Sequence, residues 1–248
     1  MEVGTVQVAH AASSQVPPFW PVVPELTPPP RSHPDKPADP HGRIASTPRP
    51  PQAQVQVTPL SQKSELYNGC EVTSLAMMLA QAGKPVSKLQ LARQLAKDPT
   101  PERRDANGRT VSWGDPNRGF VGDVTGRNRG YGVDHGPLAA LAARHLPGRV
   151  VDLSGGSFDG VLNSIADGRA VVVWTTTSFA PRSNWVSWQS PTGTVRATFS
   201  EHAVLVVGYD PQSIVLADPL VGQVRRVNRQ TFVQSFVQMG KQAITYRK

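Results

Sequence analysis

The sequence predicts an α+β fold, with helices in the first half of a single domain and an antiparallel sheet in the second. Three observations carry this. Apolar residues recur at helical spacing from Cys70 to Leu146, β-branched runs of strand length dominate from Ala170 onward, and Gly, Pro, Asn and Asp punctuate both. The first 57 positions stand apart: more than half of the 24 prolines fall within the first 60 residues, in runs such as Pro28-Pro29-Pro30. Such a segment favours extended polyproline conformations and holds too little apolar surface to offset the entropy of ordering. Residues 1–57 are therefore expected to be a disordered tether, and 58–248 one folded domain.

The elements follow in order. Val72, Leu75, Ala76 and Leu79 mark a helix from Cys70 to about Gln81, stopped by Gly83 and Pro85. Ser87, with Gln90 three residues on, forms a capping-box pattern ahead of a second helix bearing Leu89, Leu91 and Leu95. From Asp98 to Val133 the chain is rich in Gly, Asn, Asp and Arg without periodicity, and is expected to be a long functional or mobile loop. Leu138, Leu141, Ala142 and Leu146 mark a helix with Pro137 in its first turn, and Ser157 to Asp167 marks another. Ala170 to Thr175 and Thr194 to Phe199 read as strands, and His202 to Tyr209 as a buried one. Ser213 to Ala217 pairs with the last across Asp210-Pro211, and Val224 to Val227 continues the meander. Asn228 caps a helix carrying Phe232, Val233 and Phe236, and Gln242 to Tyr246 closes with a strand.

The net charge of +8 belongs to the domain, since acids and bases cancel in the tail. Arg103, Arg104, Arg109, Arg118, Arg127 and Arg129 cluster between positions 103 and 129. They make either a solvated loop or a surface for an anionic partner such as a cell envelope. Aromatic interleaving of the single-strand-binding kind is missing, so nucleic acid is not expected as a partner. No run approaches the roughly 18 apolar residues that cross a bilayer. Ala9-His10-Ala11 resembles a cleavage site, but a complete signal peptide is lacking; an extracytoplasmic or secreted location is expected. Nothing has zinc or calcium ligand spacing, so neither metal nor cofactor is expected.

Cys70 is the only cysteine. It cannot form an internal disulfide or a multi-cysteine metal site, which leaves a buried structural thiol, an incidental one or a nucleophile. The first turn of a helix, after Gly69, favours the nucleophile, because unpaired N–H groups and the positive end of the helix dipole stabilise a thiolate. Such a nucleophile needs a base, and the base an orienting partner. Among histidines of the domain, His145 ends a helix and His135 lies in a glycine-flanked turn, a minor candidate. His202 opens a buried strand, where its ring could face a cleft; the ordinary role there is structural, and the cysteine argues for the base. Antiparallel pairing of 202–208 with 213–217 brings Asp218, otherwise a simple Asp-Pro turn residue, near His202, where it could fix the tautomer. The Cys70 N–H offers one oxyanion donor, and the Gln62 amide a possible second. Trp174, Trp185, Trp188 and Phe179 either pack the core or line a cleft; Trp113 and Phe120, in the long loop, are the better cleft candidates.

Together these pieces resemble the standalone branch of the bacteriocin-leader peptidase family, family 39 of the cysteine peptidases, which is papain-like in fold. The resemblance runs from about Thr58 to the C-terminus. It is carried by Ser61-Gln62, Asn68-Gly69-Cys70-Glu71-Val72-Thr73-Ser74-Leu75, Gly119-Phe120-Val121-Gly122, Gly130-Tyr131-Gly132-Val133, Val171-Val172-Val173-Trp174, Glu201-His202-Ala203-Val204-Leu205-Val206-Val207-Gly208-Tyr209-Asp210 and Ala217-Asp218-Pro219-Leu220. It implies Cys70 as nucleophile, His202 as base, Asp218 as orienter and Gln62 as oxyanion donor. It also implies a peptide or protein substrate cleaved through an acyl-enzyme. The membrane helices and ATP-binding domain of the transporter-linked members have no counterpart in this sequence, so their double-glycine specificity is not carried over. Two alternatives remain: an envelope-associated binding module with the same fold and little turnover, and amide hydrolysis or acyl transfer on cell-wall peptides by the same triad.

Overall fold

The computed structural model describes residues 48–248. The folded body begins earlier than the proline content suggests. Strand β1 (Ala53–Gln54) pairs antiparallel with the strand that carries Tyr209, whose hydroxyl donates to Pro50 O at 2.9 Å. Arg49 meets Asp159 at 2.9 Å. The expected boundary at 57/58 is thus too late, because pairing and hydrogen bonding hold the preceding residues on the sheet. Positions 1–47 of the expected tether lie outside the described residues.

Helix α1 (Cys70–Gln81) has the expected bounds and is buried from Cys70 through Leu79. Gly69 precedes it because a Cβ there would lie 2.6 Å from that of Leu66, and Gly83 (φ +77°) ends it. In α2 (Lys88–Gln94), the Ser87 hydroxyl accepts from Gln90 N at 3.2 Å, the capping geometry read from the sequence.

The stretch expected to be one long loop is instead ordered, in four short strands: β2 (Lys97–Asp98), β3 (Arg103–Arg104), β4 (Thr110–Ser112) and β5 (Phe120–Val121). Its order comes from aspartates rather than periodicity. Asp98, Asp105, Asp115 and Asp123 each accept the N–H two residues on, at 2.8–2.9 Å, closing a series of side-chain turns. Four of its arginines meet acids: Arg104 and Arg129 with Glu102, Arg109 with Asp105 and Arg118 with Asp98.

Next come α3 (His135–His145), β6 (Val150–Asp152), α4 (Phe158–Ala166), β7 (Val171–Thr176), β8 (Val186–Ser190) and β9 (Gly193–Ala197). The chain closes with β10 (Glu201–Tyr209), β11 (Ser213–Asp218), β12 (Gln223–Asn228), α5 (Arg229–Gln238) and β13 (Ala243–Tyr246). The main sheet runs β12-β11-β10-β7-β13-β6, antiparallel throughout, with β1 beside β10. A smaller sheet, β3-β4-β8-β9, takes in β9, the segment read from sequence as a strand near position 194.

The centre of the main sheet is covered on both faces, so β7, β10 and β11 read as near-continuous buried runs, whereas the edge strand β12 is largely exposed. On one face Ala203, Leu205 and Val207 of β10 pack with Leu75 and Leu79 of α1, Leu91 of α2 and Leu138 and Leu141 of α3. On the other Val204 and Val206 pack with Phe158 and Leu162 of α4 and Phe232 and Phe236 of α5. This arrangement is α+β, with antiparallel strands as expected and helices from both halves of the domain.

The candidate cleft aromatics of the loop are core residues. Phe120 is fully buried in the α1-side core, and Trp113 is buried against Trp188, their ring centroids 5.7 Å apart. A side chain in an aperiodic segment can still be the anchor that pins it. Trp174 is buried too, its indole N–H donating to Val133 O at 3.0 Å.

Candidate active site

The sequence-expected site residues are all buried, at the start of α1, the start of β10, the end of β11 and the segment before α1. Two of them are directly joined. His202 Nε2 lies 2.8 Å from Asp218 Oδ1, an ion-pair geometry closed off from solvent. The meander places them: β10 pairs with β11 so that Leu205 faces Ala217, which sets the C-terminal end of β11 beside the N-terminal end of β10. Asp218 is further held by Arg225 at 2.9 Å and by the Leu220 N–H at 2.9 Å. Burial alone would raise its pKa, but the hydrogen bonds from His202 and Arg225 outweigh that and hold it below the usual carboxylate range. The ionised Asp218 accepts Nε2–H, which leaves the lone pair of His202 on Nδ1.

Gln62 adjoins this pair through the backbone, its N–H donating to Pro219 O at 2.8 Å. Its side-chain amide donates to Tyr67 O at 2.6 Å, while its Oε1 is buried without a partner. One amide proton is engaged and the other makes no hydrogen bond. As the first residue of α1, Cys70 has an N–H with no intrahelical acceptor.

Cys70 reaches the sheet beside His202 without being bonded to it. Ser74, one turn along α1, donates its hydroxyl to Ala203 O at 3.1 Å, which clamps the helix to the residue after the histidine. The thiol itself lies 3.4 Å from Glu71 Oε2, and Cys70, Glu71 and Glu201 offer sulfur and carboxylate oxygen atoms all within 4.8 Å of one another. Burial, then the carboxylates of Glu71 and Glu201, push the thiol pKa well up, against the Ala203 N–H. This corrects the expectation that the helix start yields a thiolate: partial charges at a helix end are outweighed by two nearby carboxyl groups in a dry site.

Glu71 and Glu201 are the residues that sequence reasoning passed over. Glu71 Oε1 accepts the Val133 N–H at 2.8 Å, tying the loop before α3 to α1. Burial pushes its pKa up to about 7 despite that bond. Glu201 lies with its Oε1 sealed and unpartnered, and burial followed by Glu71 and Asp134 raises its pKa well above the ordinary value. A signal was available: an acid one residue after the cysteine, inside an otherwise apolar helix, and a second immediately before the histidine. The other histidines among the described residues are engaged elsewhere, His135 Nδ1 with Asp152 at 2.6 Å and His145 Nε2 with Gln94 at 2.8 Å.

The thiol does not line the cavity of about 420 Å³ that is bordered by Asp115, Tyr131, Asp134, Trp185, Arg196 and Gln242 among others. Tyr131 links the two: it lines the cavity, and the charges of Glu201, Asp134, Glu71 and Cys70 all act on its hydroxyl. Of the expected aromatics, Trp185 borders this space, with Arg196 stacked 4.0 Å over its ring.

Comparison with known proteins agrees with this architecture. The uncharacterised Bacillus subtilis (strain 168) protein YvpB is 42% identical over 183 residues, covering 74% of this chain and 70% of its own. The crystal structure of a C39-like peptidase candidate from Bacillus anthracis superposes with a TM-score of 0.73 at 40% identity, covering 79% of this chain and 98% of that one. The model of the Peptidase_C39 like family matches residues 54–244, from β1 through the last strand, and with that extent of agreement the chain belongs to the Peptidase_C39-like family.

Proposed function

We propose that the chain is a papain-like thiol hydrolase that cleaves a peptide or related amide bond through Cys70, His202 and Asp218. The observation that carries this reading is the buried His202–Asp218 pair at 2.8 Å, set one residue from the point where the cysteine-bearing helix is bonded to β10. Asp218 fixes the Nε2–H tautomer, and Nδ1 is the base. The thiol exchanges Glu71 for Nδ1 and passes its proton there, and the sulfur forms a bond to the substrate carbonyl carbon. The oxyanion takes hydrogen bonds from the Cys70 N–H and the second amide proton of Gln62. Nδ1–H then protonates the departing amine as the C–N bond breaks, leaving a thioester. Water, losing a proton to Nδ1, forms the new C–O bond, the C–S bond breaks, and the proton returns to sulfur. The cavity lined by Tyr131 and Asp134, which face Glu71 and Glu201, is suited to hold part of the substrate.

A peptide-library cleavage profile tests this, with Cys70→Ala and His202→Ala beside the wild type. The reading expects cleavage by the wild type and a loss of at least roughly 10³-fold in each variant. Cleavage that survives Cys70→Ala would sink it. The raised thiol pKa and the Glu71 contact favour a second reading, a binding module with little turnover. In that case no library member is cleaved, while substitution of the exposed Arg103 and Arg127 abolishes association with anionic envelope material.

A further inference from the structure

The thiol has two acids for neighbours, and they are supplied from different elements: Glu71 from α1 and Glu201 from β10. Their carboxylates converge. A Cβ built on Gly132 would meet Glu71 Oε1 at 2.6 Å and Glu201 Oε2 at 3.2 Å, so both acid groups crowd one point that a side chain at 132 would occupy. Glu71 Oε1 has the Val133 N–H and Oε2 faces Cys70 Sγ, but Glu201 Oε1 has no partner at all. The remaining titratable groups facing this cluster come from the loop before α3, and they are Tyr131 and Asp134; Asp134 is itself acted on by His135 and Asp115. Glu201 is half-buried, with Oε1 sealed from solvent, and two ionised carboxylates this close repel each other with no cation among their described neighbours, a repulsion that a single shared proton relieves.

We propose that Glu71 and Glu201 form a proton-sharing carboxyl pair that holds Cys70 as a hydrogen-bonded thiol and lets it ionise only while the pair carries a proton. The pair acts through Cys70 and is a positioning device, not part of the bond-making machinery. The proposal rests on Cys70 being the nucleophile of the hydrolase. Its chemistry is simple: a doubly ionised pair repels the thiolate, whereas a protonated pair repels it less and offers it an O–H donor. Acidification then has two opposing effects on sulfur, protonating it directly and removing the charge that keeps it protonated.

The test is the rate at which 2,2′-dipyridyl disulfide modifies Cys70, the only thiol, from pH 4 to pH 9 in the full chain. Glu201→Gln keeps the shape and removes one charge, and Glu201→Asp keeps the charge. At pH 8 Glu201→Gln is expected to react about tenfold faster than wild type or more, one unit of thiol pKa. The ratio should shrink toward one by pH 4, where the wild-type pair is protonated, and Glu201→Asp should stay near wild type throughout. Glu71→Gln removes the other charge and carries the same expectation, so a folding failure of one variant, read by circular dichroism, leaves the test standing. An unchanged or slower rate at pH 8 overturns the proposal. So does a faster rate whose ratio is constant with pH, because that means opened access and not altered ionisation. The reagent reads sulfur ionisation whether or not any peptide is cleaved. An inert wild type with this pH pattern would therefore refute the hydrolase alone.

Discussion

Asp218 and Glu201 stand at opposite ends of the electrostatic range, although both are acids at strand ends of one sheet, one bonded to His202 and the other preceding it in the chain. Asp218 has His202, Arg225 and a backbone N–H as partners, and stays ionised below the usual carboxylate range. Glu201 has a sealed, unpartnered oxygen and two acids for neighbours, and its pKa is driven well up. Burial pushes both the same way, so partners decide the outcome. Their surroundings differ within one residue of β10. Glu201 lies with Cys70 and Glu71, sulfur and carboxylate oxygen atoms within 4.8 Å of one another, while His202 is bonded to Asp218 and its ring lies 6.3 Å from that of Phe179. A one-residue step along a strand thus divides a charge-satisfied pair from a charge-starved one.

The largest expected effect breaks the satisfied side. Asp218→Ala leaves His202 and Arg225 without their acceptor, and a cost of about 3–5 kcal/mol in urea unfolding is expected, as for one half of a buried pair. Gly132→Ala strikes the starved side by steric means, forcing Glu71 and Glu201 to shift. A loss of about 1–3 kcal/mol by the same assay is expected.

The pH dependence sharpens the contrast because the signs are opposite. The raised pKa of Glu71 means that the native state holds a proton which the unfolded chain, with an ordinary value of 4.5, has lost. Stability from this group is full below about pH 4.5 and falls as pH rises through about 7. Asp218, depressed from 3.8, contributes stability that is present above that value and lost only as pH falls through its lower folded pKa. Thermal melts should therefore show a decline between pH 5 and pH 8, and Glu201→Gln should flatten it and gain on the order of 1 kcal/mol at pH 8. The smallest effect is at Arg225, which is half-exposed: Arg225→Gln should cost under about 1 kcal/mol, and high salt should erase most of the difference.

Much of this was legible in the sequence. The bounds of α1, the caps at Ser87 and Asn228 and the β10–β11 pairing that joins His202 to Asp218 depend on local spacing and turn chemistry, which a sequence displays. The order of 98–133 was not, because aspartate-closed turns repeat no apolar period. The ionisation of Cys70 was not legible either. Its helix position could be read, but its burial and its neighbour Glu201, 131 residues along the chain, exist only once α1 docks on β10.

The central claim is that Cys70 becomes a nucleophile by passing its proton to His202. Intact-mass spectrometry of the enzyme mixed rapidly with an activated peptide ester measures that step directly. The account predicts an acyl adduct on Cys70 in the wild type, slowed by roughly 10²-fold or more in His202→Ala, the usual share of a general base. Acylation of Cys70 at the same rate in wild type and His202→Ala would contradict it.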